Sequence, residues 1–90
     1  MKLNFNFELK DLNDRNIIDQ DGNNLSANIF LANMLAQLSK GDSLKLIEIA
    51  LKLNKGDEID LDTSDKNTIK QLIEESGINN IVKYRLLNVF

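Results

Sequence analysis

Ninety residues, 28% charged and 42% hydrophobic, make room for one domain, and a chain this short buries only about 60–65% of its unfolded surface on folding. There is no Cys, His, Trp or Pro, which removes disulfides, thiolate and imidazole metal sites, and every catalytic device built on Cys or His. Eleven Lys and Arg against fourteen Asp and Glu leave a net charge of −3, so no general attraction to duplex DNA or anionic lipid is expected.

Leu3, Phe5, Phe7 and Leu9 alternate with polar residues, the period-2 pattern of a strand with one buried face. Residues 11–16 read as a polar turn, Ile17 and Ile18 are β-branched, and Asp21-Gly22-Asn23-Asn24 forms a second turn whose Gly22 tolerates positive φ. This predicts a β-hairpin or meander over residues 1–25, its apolar face covered by helices from the rest of the chain. Residues 26–90 read as mainly helical. No internal repeat, linker or low-complexity block is expected.

Ser26 suits a helix N-cap, and Ala27, Phe30, Leu31, Met34, Leu35 and Leu38 recur at helical spacing. Lys40 and Gly41 predict the end of that helix, and Asp42 or Ser43 the cap of the next. In this second helix Leu44, Leu46, Ile47, Ile49, Ala50, Leu51 and Leu53 are apolar, leaving one polar stripe of Lys45, Glu48, Lys52 and Lys55. Such a pattern predicts a central helix with neighbours around most of its circumference. Gly56 closes it, and residues 58–61 predict a short edge strand that can join the N-terminal sheet. A third helix spans about residues 65–76, capped from Asp62, Thr63 or Ser64 and burying Ile69, Leu72 and Ile73. A fourth, capped by Asn79 or Asn80, turns Ile81, Val82, Leu86, Val89 and Phe90 inward. Phe90 is expected to dock on the core. The fold class is therefore α+β: an N-terminal β-hairpin, with a third short strand, packed on four helices in a single domain over residues 1–90.

Residues 1–5 lack the apolar run of a signal peptide, and no stretch reaches the roughly 18–20 apolar residues of a membrane span. The expected location is the cytoplasm.

Two surfaces carry the candidate binding residues. Asp57, Glu58, Asp60, Asp62 and Asp65 place five carboxylates in nine residues. They fail as a calcium loop: counting from Asp60 puts Asp65 where Gly is needed and Gln71 where a bidentate Glu is needed. Aligning Gly22 in the same frame puts Ile17 at the first ligand position. No metal and no cofactor is expected. The acidic segment reads either as charge at a helix entry, or as a contact for a basic surface on another protein or for a site that normally holds RNA phosphate. Lys83, Tyr84 and Arg85 form the second surface, with Tyr84 as the exposed aromatic anchor. The lysine stripe of the second helix reads as a solvated face, since no arginine cluster or stacking aromatic accompanies it. No Gly-x-Ser-x-Gly, phosphate loop or Ser-x-x-Lys occurs, so an enzyme is not expected. Lys83-Tyr84-Arg85 is too short for a DNA recognition helix.

The order of these segments resembles small proteins encoded by phages and prophages, including those of Bacteroidetes. The likeness runs through residues 11–13, the Asp21-Gly22 turn, residues 25–36, Ser39-Lys40-Gly41-Asp42, residues 46–53 and residues 56–61. The chain departs from the common pattern in lacking Trp or Tyr in the second helix and in carrying Asn79-Asn80-Ile81 at the last turn. The resemblance implies a non-enzymatic inhibitor of host defence, similar to an anti-CRISPR that binds the RNA-guided RNA-cleaving effector nuclease of type VI systems, with or without its guide RNA. The alternative it implies is an accessory protein of virion assembly.

Overall fold

The computed structural model describes residues 2–38 and 43–90. The element order is β1 (Lys2–Leu3), α1 (Ala27–Gln37), α2 (Ser43–Lys55), β2 (Ile59–Asp60), α3 (Thr63–Glu75) and α4 (Asn80–Leu87). The architecture is α+β. The readings placed on Lys40, Gly41 and Asp42 lie outside the described residues.

Burial follows the period-2 pattern through Leu9: Leu3, Phe5 and Leu9 are buried, Phe7 is half-buried, and the residues between are exposed. Ladder hydrogen bonds do not follow it that far. β1 pairs with β2 in an antiparallel ladder, Lys2 opposite Asp60 and Leu3 opposite Ile59, so residues 58–61 do supply the expected edge strand. Beyond Leu3 the side chains of Asn4 and Asn6 take over: Asn4 Oδ1 accepts from the Asn6 amide, and Asn6 Nδ2 donates to the Gly56 carbonyl. Short polar side chains that bond nearby backbone end a ladder in this way.

Residues 7–27 differ from a plain hairpin or meander, and here the expectation of no internal repeat is corrected. Residues 9–16 and 17–24 are two copies of one eight-residue unit, in which Leu9 matches Ile17, Asp11 matches Asp19, Asp14 matches Gly22 and Asn16 matches Asn24. A third start comes at Leu25. The unit's first residues close a ring of backbone bonds: Ile17 N to Leu9 O at 2.9 Å, Leu25 N to Ile17 O at 2.8 Å, and Leu9 N to Leu25 O at 2.8 Å. Each pass thus bonds to both others, where a flat meander would pair only neighbours. The isolated bridges Lys10 to Asn16 and Ile18 to Asn24 repeat with the same offset. Two short motifs eight residues apart are easily taken for two unrelated turns, because Asp and Asn are expected in any turn.

The helices obey their local signals closely. Ser26 occupies the N-cap of α1 in extended conformation, without a side-chain cap bond. Asp62 caps α3 by accepting from Asp65 N at 2.7 Å, and Asn79 caps α4 by accepting from Val82 N at 3.0 Å, each contributing about 1 kcal/mol. At the end of α2, Gly56 has φ +83°. Its amide bonds to Leu53 O at 3.0 Å, and Asp57 N bonds to Lys52 O at 3.1 Å, the paired bonds of a Schellman stop. Asn28 of α1 donates to Leu53 O at 2.9 Å, which ties α1 to the same end.

One buried cluster joins all parts, from Leu3, Phe5 and Leu9 through Leu31, Leu35 and Leu53 to Ile69, Ile73 and Leu86. No polar or charged side chain is buried among the described residues. The last residue docks as expected, with the Phe90 ring edge-on to Phe5 at 5.7 Å.

The reading of α2 as a helix covered on most sides is overturned. It buries Leu46, Ile49, Ala50 and Leu53 on one face, while Leu44, Ile47 and Leu51 are 79%, 41% and 57% exposed. These three fall at i, i+3 and i+7, one stripe along the outer side. Among the described residues, the three other helices and the short sheet supply neighbours for one side of α2 only. Among the described residues no helix is long and apolar enough to cross a membrane.

Candidate functional site

Each octad turns on its aspartate. Asp11 Oδ1 accepts from the amides of Asn13 at 2.8 Å and Arg15 at 3.0 Å. Asp19 Oδ1 accepts from Asp21 at 2.9 Å and Asn23 at 3.0 Å. The fourth residue of each turn sits in the left-handed region, Asp14 at φ +58° and Gly22 at φ +82°. Glycine adopts that conformation freely, whereas an L residue is strained there by about 1 kcal/mol. The backbone bonds to Asp11 hold its carboxyl below the usual carboxylate value, Arg15 first and Asn13 next, with the charges of Arg15 and Arg85 adding to them. These carboxylates thus serve the turns. Among the described residues no group of three or more Asp and Glu is arranged to hold a metal ion.

The first octad is clamped to α4. Arg85 donates from Nε to Lys10 O at 3.1 Å, and from Nη2 to Asp11 O at 2.9 Å and Asp14 Oδ1 at 3.2 Å. A planar guanidinium bonded in this fork is held more rigidly than an ammonium. It also lies 5.7 Å from the centre of the Tyr84 ring, within cation–π range. The clamp sets Leu12 at the tip of the turn beside α4, where Leu12, Asn80, Ile81, Tyr84 and Arg85 line an open groove of about 480 Å³. Leu12 is 85% exposed and Tyr84 58% exposed.

Of the expected basic surface, then, Tyr84 faces outward. Lys83 and Arg85 are bonded within the fold, Lys83 Nζ to Glu74 O at 2.9 Å. Leu12 belongs to the same surface and was not anticipated. Its only signal in the sequence was an apolar residue at the centre of a polar turn.

The acidic segment is similarly divided. Asp62 is the cap of α3, Asp65 pairs with Lys45 at 2.6 Å, and Asp60 is engaged within the fold as well. Asp57 and Glu58 lie exposed between α2 and β2.

A second groove, of about 610 Å³, runs between the second octad and α1. Its apolar lining is Ile18, Leu25, Ile29, Phe30, Met34 and Ile78, and its charged lining is Asp19 and Asp21. No protein family, curated protein or solved structure matches this chain.

Proposed function

We propose that this chain is a protein-binding domain without chemistry of its own, which acts by covering part of another macromolecule. The observation that carries the reading is the Leu12–Tyr84 surface: two large, exposed side chains around a groove, held in place by the three hydrogen bonds of Arg85. Aromatic anchors beside apolar pockets dominate binding energy at protein interfaces. A surface fixed before contact loses less conformational freedom on binding.

Joined to the resemblance to phage-encoded proteins, this reading makes the chain a stoichiometric inhibitor of a host CRISPR effector nuclease of the RNA-cleaving type. Affinity purification from infected cells with tagged wild-type protein and Tyr84→Ala tests it. Recovery of the effector by the wild type, reduced about tenfold or more in the variant, supports inhibition, and recovery of virion subunits alone counts against it. Virion assembly is the second reading, favoured by the presence of more than one exposed apolar surface on so small a chain. In that case infection depends on the gene even in a host without any CRISPR system.

A further inference from the structure

The described residues leave seven large apolar side chains exposed: Leu12, Ile18, Ile29, Leu44, Ile47, Leu51 and Tyr84. Leu12 and Tyr84 belong to the α4 surface. The other five divide between the outer stripe of α2 and the groove beside α1, and the two surfaces match. The stripe presents apolar residues at i, i+3 and i+7, the spacing with which a helix enters an apolar groove, and it is bordered by Lys52 and Lys55 against the single Glu48. The groove is lined by apolar residues, including the adaptable side chain of Met34, with Asp19 and Asp21 at its edge and no basic residue among the described residues.

We propose that α2 of one copy seats in the α1 groove of a second copy, so that the protein assembles head to tail. One such contact covers all five remaining exposed apolar side chains and sets Lys52 and Lys55 against Asp19 and Asp21. Because stripe and groove are different surfaces, each bound copy still offers one of them, and the contact propagates into a ring or a filament. A helix of 13 residues is about 20 Å long. It supplies a contact at or below the usual 800 Å² or so per partner, so association is expected at about 10 μM to 1 mM. This contact is independent of the α4 surface and of its partner.

Sedimentation equilibrium on the full chain over that concentration range is the test. The wild-type mean mass is expected to rise beyond the dimer. Leu51→Asp, which spoils the stripe, and Ile18→Asp, which spoils the groove, each remain monomeric. Mixed in equal amounts they form a dimer and stop there, since one intact stripe and one intact groove remain. Circular dichroism checks that both fold, and charge reversal supplies a milder pair: Lys55→Glu and Asp21→Lys each weaken association about tenfold, and combining the two reversals restores it. A wild type that stays monomeric up to about 1 mM overturns the proposal. So does a dimer that Ile18→Asp leaves intact, which would mean α2 packing on α2, and so does α2-dependent retention on anionic vesicles in place of self-association.

Discussion

Residues 9–16 and residues 17–24 bend the chain through the same hydrogen bonds, aspartate to the second and fourth amides onward, and each passes through one left-handed residue. Their surroundings separate them. The first octad begins on Leu9, fully buried, and is gripped by Arg85. The second begins on half-buried Ile17 and borders an open groove. Both octads border a groove, but the same local code yields a clamped surface where a distant helix supplies a guanidinium, and a surface without that clamp where none does. Local hydrogen bonding shapes a turn, while tertiary contacts decide how firmly the turn is held.

Truncation at the ring positions should divide the two octads most sharply. Leu9→Ala removes a fully buried side chain and is expected to cost about 3 kcal/mol, against about 1–2 kcal/mol for Ile17→Ala. Urea denaturation reads both, and equal costs would mean that the two octads are held alike.

Next in size is the clamp itself. Arg85→Ala is expected to cost about 1–2 kcal/mol, and Arg85→Lys should recover little of it, because an ammonium cannot reproduce the fork. Amide hydrogen exchange should speed up at Asn13 and Arg15 and stay unchanged at Asp21 and Asn23. Equal acceleration in both octads would break the comparison.

The smallest effect is acid sensitivity. The carboxyl of Asp11 is held below its ordinary value of 3.8, so its contribution is fully present above that value and is lost as the pH falls through the lower folded-state value. Asp11→Asn should therefore be less stable than wild type at pH 7 and should converge with it in strong acid. A difference between the two that persists to the lowest pH would assign the effect to the amide substitution rather than to the charge.

Much of the fold was legible because its signals are local. Apolar spacing along α1 and α3, the asparagine and aspartate caps, and Gly56 at the end of α2 each depend on a few neighbouring residues. The octad repeat was legible in principle, as Asp11 over Asp19 and Asn16 over Asn24. It was hidden by the differing residues between them and by the ordinariness of Asp and Asn in turns. The exposure of α2 was not legible. Leu44, Ile47 and Leu51 look like core residues in any window, and whether a neighbour covers them depends on how many helices the chain has left to pack there.

The candidate surface divides in the same way. Tyr84 was singled out as an aromatic between two basic residues, and it does face outward. Lys83 and Arg85 looked equally available, yet both end on backbone carbonyls elsewhere in the chain. A long charged side chain has the reach to choose among many partners, so its position in the sequence does not reveal its target.

By itself, the order of amino acids determined where this chain turns, which residues cap α3 and α4, and where α2 stops, since all of these arise from interactions within a few residues. Only the tertiary structure decided that three passes close into a hydrogen-bonded ring, that Arg85 bonds to a turn some 74 residues distant, and that α2 keeps an apolar side uncovered. Those outcomes depend on which segments share space once the core has formed, and burial without directional preference sets no such pairing in advance.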